Sequence, residues 1–249
     1  MTTRRTTPVK TEKIEPQMCS IHTRHIVLSR APFFSQLTAE AVAEINKLFQ
    51  EQGYAAGAPI FFAGDPASHL YVVAVGKVKL IRHTLSGQDV LLDILTPGEF
   101  FGSLSILGND EYQDTAQAQT SCCVLAITAE MFQAVLQGYP AVALSALNIV
   151  TQRLKEAQET IRQLSAYSVE QRIASALLKL AEKVGEQQAD RLLIQLPLSR
   201  QDLAEMTGTT VETASRVMSQ FQKEGLIDTG RQWVAITDEA GLAKMAAGD

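Results

Sequence analysis

The sequence predicts an α+β fold in three parts: a rolled antiparallel sheet, one long helix, and a compact unit built on a pair of short helices. Three observations carry this prediction. Between Tyr54 and Thr128, short β-branched and aromatic runs alternate with glycine turns. Up to Ala166, apolar residues recur in steps of four and three. From Leu198 to Gly225, two short amphipathic stretches flank Thr207-Gly208-Thr209.

Residues 1–25 read as a flexible N-terminal tail, because the first 17 or so are rich in Thr, Lys, Arg and Pro and lack core-forming residues. At its end, Cys19-Ser-Ile-His22-Thr-Arg-His25 places a thiol and two imidazoles close together. Metal or haem ligation is weighed there, although no second Cys stands at a close spacing.

Residues 26–138 form the sheet unit. It opens with a helical reading over 26–52, in which Thr38 is an N-cap candidate and Val42, Ile45, Leu48 and Phe49 form an apolar stripe. PIFFAG, HLYVVAVGKVKLIRH, DVLLDIL and CCVLAIT follow as strands. Gly64-Asp65-Pro66, Val75-Gly76-Lys77, Ser86-Gly87-Gln88 and Pro97-Gly98 read as turns. Many short strands joined this way close into a roll. Cys122 and Cys123 are strand neighbours, so their side chains point to opposite faces. One is expected in the core and the other near the surface.

Residues 139–167 carry a heptad seam on a helix that begins near Met131 or Pro140 and ends near Ala166. Ala143, Leu147, Val150, Leu154, Ala157, Ile161 and Leu164 line one face, with Arg153, Lys155, Glu156, Glu159 and Arg162 beside it. About 25 residues at about 1.5 Å each exceed what covering the sheet requires. A parallel coiled coil is therefore expected, and with it a homodimer held through Leu147, Val150, Leu154, Ala157, Ile161 and Leu164.

Residues 168–249 begin with a helix from Ser168 to Gly185, with Ile173, Ala176, Leu177, Leu180, Ala181 and Val184 on its core face. RLLIQLPLS reads as a strand. A short helix over about Arg200–Met206 follows, with Ser199 as N-cap and Gly208 as a left-handed stop. A second helix runs from Thr210 or Val211 to Lys223 or Glu224 and buries Val211, Ala214, Val217, Met218 and Phe221. LIDTGRQWVAIT makes a hairpin around Thr229-Gly230, with Trp233 expected against the second helix, and DEAGLAKMA is a short terminal helix. A helix, a tight glycine turn, a second helix and a flanking hairpin make a winged helix-turn-helix. Glu212 can accept from cytosine N4 and Arg216 can donate twice to guanine, while Ser215 is small enough to approach thymine. Ser199, Arg200 and Thr210 at the helix starts, with Arg231 at the wing tip toward phosphate, complete the expected DNA-contacting set. An ordinary αα-hairpin is the plain alternative.

The 249 residues are 46% hydrophobic and 20% charged, which fits a packed globular chain rather than a disordered one. A formal net charge of −5 on its own argues against a nucleic-acid binder, but a sequence-specific reader needs only a local basic patch, which Arg200, Arg216, Lys223 and Arg231 can supply. No apolar run reaches the length of a membrane span and no signal-like start is present, so a cytoplasmic chain with no membrane association is expected. Three cysteines do not make a disulfide framework. The absence of a phosphate-binding loop, a dinucleotide fingerprint and a spaced metal triad argues against an enzyme.

TVETASR resembles the recognition helix of the CRP/FNR transcription regulators, in the Glu-x-x-Ser-Arg form of the FNR branch. FFAGDPASHLYVVAVGKVKLIRHTLSGQDVLLDILTPGEFFGSLSIL resembles the same family's cyclic-nucleotide-binding β-roll. The resemblance implies a homodimer on double-stranded DNA, with Glu212 and Arg216 reading a G·C pair and Ser215 an adjacent T. It implies a TTGAT-like palindrome and RNA polymerase as a further partner. An effector is expected against Phe101, Ser103, Leu104, Asp114 and Thr115. Cyclic AMP fits poorly: Ser103 stands where the family's ribose-binding Glu belongs, and Gln113-Asp114-Thr115-Ala116 replaces its phosphate-binding Arg segment. No Arg or Lys lies between Arg82 and Arg153. The FNR branch's iron–sulfur cluster needs four cysteines, and this chain has three. A gas or redox signal through haem is the remaining cofactor reading, with Met18, Cys19, His22, His25, His69 and His83 as conceivable ligands. The alternatives are a cyclic-nucleotide-binding regulator or scaffold and a cluster-based redox sensor.

Overall fold

The computed structural model describes residues 19–84, 89–102, 111–188, 191–196, 198–230 and 232–248. The chain divides into two compact units, one containing Lys13–Glu156 and the other Ala157–Asp249.

The first unit opens with α1 (Ile21–Arg30) and α2 (Ala39–Asn46). Ser20 caps α1 by accepting the Thr23 N–H at 3.1 Å, and Thr38 caps α2 through the Ala41 N–H. Arg24 ties the two together: its guanidinium donates to the Asn46 and Phe49 carbonyls at 2.9 and 2.6 Å. These elements correct two expectations. The tail boundary at residue 25 falls inside α1, and no continuous helix runs over 26–52. Ala31 is extended (φ −62°, ψ 134°), the conformation that a following proline favours, and Pro32 ends the first helix.

Eight strands follow: β1 (Gln50–Tyr54), β2 (Pro59–Phe61), β3 (His69–Val75), β4 (Val78–His83), β5 (Asp89–Leu95), β6 (Phe100–Gly102), β7 (Thr115–Ala118) and β8 (Cys122–Thr128). They form two four-stranded sheets, ordered β1-β8-β3-β6 and β2-β7-β4-β5, with every named pair antiparallel. The period of two sorts the side chains of β3 and β8 into two cores. Tyr71, Val73, Cys122, Val124 and Ala126 join Phe61, Phe101 and Tyr112 in one. Leu70, Val72, Cys123, Leu125 and Ile127 join Phe33, Phe34, Phe100 and Phe132 in the other. The turn from β3 to β4 requires Gly76: its φ is +82°, and a Cβ there would strike the Ser121 carbonyl and Cys122.

The next helices are α3 (Ala129–Gly138) and α4 (Pro140–Ala166). The chain breaks between them at Tyr139, before Pro140. Val142 is fully buried in the core that holds Cys123, with Ala146 and Ile149 packed against it.

The second unit contains α5 (Val169–Val184), β9 (Gly185–Gln188), β10 (Arg191–Ile194), α6 (Arg200–Thr207), α7 (Val211–Lys223), β11 (Ile227–Gly230), β12 (Trp233–Ile236) and α8 (Glu239–Ala247). Its sheet runs β11-β12-β10-β9. Strand β9 is polar and carries no period-two signal, so the sequence reading missed it. The hairpin turn also differs from expectation: Thr229 and Gly230 are paired with Val234 and Trp233, and Gln232 takes a positive φ of 66° beyond them. Trp233 clusters with Leu193 and Ala235 on the sheet. No single helix among the described residues is long and apolar enough to cross a membrane.

Candidate nucleic-acid interface and roll cavity

Helix α6 begins with a reciprocal cap. The Ser199 N–H donates to the Asp202 carboxylate at 2.8 Å, and the Asp202 N–H donates to the Ser199 hydroxyl at 3.0 Å. Gly208 ends the helix in the left-handed region (φ 59°, ψ 46°), where a side chain would be strained. Thr210 then caps α7 by accepting the Thr213 N–H at 3.2 Å. Ala214, Val217, Met218 and Phe221 fix one face of α7 in the core, each fully buried. The opposite face is thereby presented outward.

Glu212 and Arg216 are exposed on that outward face, and Ser215 is half-buried beside them. The structure thus brings together the three residues named for base reading, at the helix end whose dipole favours a phosphate. Ser199 and Thr210 are engaged as caps, and Arg200 is half-buried, its pKa lowered by desolvation. Arg231 lies outside the described residues. Val211 departs from expectation: it is 41% exposed rather than buried. An apolar side chain beside Glu212 can touch a thymine methyl. Its place at the margin of the apolar face was the available signal.

The roll and Arg153 of α4 line a half-open cavity of about 260 Å³. Phe101 and Asp114 line it, while Ser103 and Leu104 lie outside the described residues. Thr115 is not in the lining. It is buried, its hydroxyl accepting the Ala63 N–H and pairing with the His83 ring, both at 3.1 Å. Two residues were missed, Arg82 and Arg153, the cations that bracket the Lys- and Arg-free stretch. Arg82 Nε donates to Asp114 at 2.7 Å. The head of Arg153 donates to the Phe100 carbonyl at 2.6 Å and lies 4.0 Å over the Phe100 ring. Desolvation lowers its pKa, opposed by Asp93, Glu99 and Glu156. Phe61 and Tyr112, stacked at 3.7 Å, form an aromatic wall.

The cysteines correct the sequence reading. Cys122 and Cys123 are both buried, on opposite faces of β8, so neither is near the surface. Cys123 is disulfide-bonded to Cys19, with Cα atoms 6.2 Å apart and a sequence separation of 104. Burial pushes the Cys122 thiol up to about 12. His25, His69 and His83 each contact a neighbouring hydroxyl or carboxylate. Among the described residues no group of three or more His, Cys, Asp or Glu side chains could hold a metal ion. Met18 lies outside them.

Comparison with known proteins follows this division of the chain. Residues 51–139 match the cyclic nucleotide-binding domain, and residues 171–245 match the Crp-like helix-turn-helix domain. The chain is 36% identical over 218 residues to the cyclic AMP receptor protein of Thermus thermophilus, covering 88% of this chain and 98% of that one. It is 28% identical to the transcriptional activator protein FnrA of Stutzerimonas stutzeri, covering 77% and 78% respectively. A crystal structure of a CRP-family transcriptional regulator from Thermus thermophilus superposes with a TM-score of 0.67 at 25% identity, over 80% of this chain and 96% of that one. A β-roll, a long helix and an outward-facing helix-turn-helix, matched by both family models and by close full-length relatives, identify this chain as a member of the CRP/FNR family of DNA-binding transcription regulators.

Proposed function

We propose that the chain acts as a homodimer that reads a TTGAT-like palindrome through Glu212, Ser215 and Arg216 of α7, under the control of a signal at the roll. The observation that carries this reading is the division of α7 into a fully buried face and an opposite face bearing Glu212 and Arg216. Val211 adds an apolar contact, and Arg231 serves phosphate from the wing. The dimer forms through α4, where Leu147, Val150, Leu154, Ala157, Ile161 and Leu164 are all exposed in the single chain. Two copies then place two recognition helices on half-sites about one helical turn, roughly 34 Å, apart. Action on promoters implies contact with RNA polymerase and a cytoplasmic location.

At the cavity, charge complementarity disfavours a cyclic phosphodiester. Arg82 is already matched by Asp114, and Arg153 is held by the Phe100 carbonyl and ring. An entering phosphate would face the Asp114 carboxylate and would have to displace one of these partners. Haem ligation by Cys19 or His83 is also disfavoured: Cys19 is bonded to Cys123, and both ring nitrogens of His83 are engaged.

Selection of bound duplexes from a random pool tests the reading. The wild type is expected to recover a palindrome with TTGAT-like arms. Arg216→Ala should lose about 1–3 kcal/mol and relax preference at the G·C pair alone. Uniform weakening on every duplex would reduce Arg216 to a phosphate contact and overturn the assignment.

A further inference from the structure

The strongest feature outside the DNA-reading face is the pairing of Cys19 with Cys123. It joins the start of α1 to the middle of the roll. We propose that this pair is a reversible two-electron redox site, whose bonded and dithiol forms seat α4 differently and so differ in DNA affinity.

Three observations support it. First, the pair lies in the core on which α4 rests. Cys19, Cys123, Phe33, Phe100 and Val142 belong to one cluster, with Ala146 and Ile149 of α4 packed against it. A change at the sulfurs is thus felt at the root of α4 through close-packed side chains. Second, the neighbouring thiol cannot intervene. Cys122 points into the other core, across the sheet, and is free and fully buried. Two-electron chemistry is confined to Cys19 and Cys123. Third, a DNA-binding regulator works where thiol pools keep cysteines reduced, and disulfides formed there are usually transient and redox-sensing.

The exchange balances with a dithiol reductant. One reductant thiolate attacks the Cys19 sulfur, and the Cys19–Cys123 bond breaks. Cys123 leaves as a thiolate and takes a proton. The second reductant thiol displaces Cys19 from the mixed disulfide, and Cys19 is protonated in turn. Two electrons and two protons reach the protein, and the reductant becomes a disulfide. Access comes through local opening of α1. Ser20 beside Cys19 is exposed, and the Arg24 clamp on Asn46 and Phe49 holds the helix while the bond is open. In the dithiol form only that hydrogen-bonded clamp still holds α1, so the wall of the shared core loosens.

The DNA half of this proposal rests on the reading of α7 above; the thiol half does not. The test uses full-length wild type in two forms, oxidised with a disulfide oxidant or reduced with dithiothreitol. Alkylation after denaturation should count one thiol in the oxidised form and three in the reduced form, and the count should return to one on reoxidation. Duplexes selected from a random pool should bind the two forms with affinities differing by about 5–150-fold. Cys19→Ser and Cys123→Ala should each hold the reduced-form affinity under both treatments. Three alkylated thiols after oxidant treatment would overturn the proposal. Equal affinity in forms verified to carry one and three thiols would overturn it as well. If neither form selects any duplex, the reading of α7 fails separately. Amide exchange over Val142–Val150 then decides the redox site: faster exchange in the dithiol form upholds it, and identical exchange refutes it.

Discussion

Asp202 shows how much one residue can hold. It is buried, yet its carboxylate accepts from both the Ser199 N–H and the Ser199 hydroxyl, at 2.8 and 2.7 Å. Asp202→Ala would leave those donors without a partner at the start of α6 and should destabilise the second unit by about 1–2 kcal/mol, read from its urea unfolding midpoint. Asp202→Asn, which keeps an acceptor oxygen, should recover part of the loss; an equal loss would show that the cap does not depend on an acceptor here. Ser199 and Gly208 were legible in the sequence because capping and left-handed stops are decided within one turn of helix. Thr115 was not. Its hydroxyl is directed by His83 and Ala63, partners from distant parts of the chain, and no local pattern says which way it turns.

Helix α4 is apolar on the outside as well as on the inside. Val142 is fully buried, whereas Leu147, Leu154 and Ile161 are 62%, 58% and 64% exposed. A lone amphipathic helix would not leave so regular a stripe in water, which argues for a second copy against it. Leu154→Glu would place two like charges across that seam, and sedimentation should show monomer where wild type shows dimer. A variant that remained dimeric would refute pairing through α4. The stripe itself was readable, because its period persists over several turns. The kink at Tyr139 and the polar strand β9 were less so: one is a local interruption of an apolar run, and the other is paired by hydrogen bonds to β10 without an apolar face. Arg82 and Arg153 were visible in the sequence, but only the roll brings β4 and α4 to one cavity.

At the scale of the whole chain, the link from Cys19 to Cys123 closes a loop with a sequence separation of 104, which includes every strand of the roll but the last part of β8. Closing so long a loop restricts the unfolded chain, and its reduction should cost the first unit about 2–4 kcal/mol. Urea unfolding of oxidised and reduced wild type, followed by Tyr and Phe absorbance of the roll, measures this; coincident curves would mean that the strands alone set its stability. Nothing in the spacing of three cysteines announced the pairing, because partners so far apart in sequence meet only after the sheet has formed. The alternation along β8 has a last consequence. With the first and third cysteines joined, Cys122 is the one thiol left to react, and it is sealed between two sheets. A labelling reagent reaches it only when the roll opens. Its rate of modification therefore works as an internal clock for that opening.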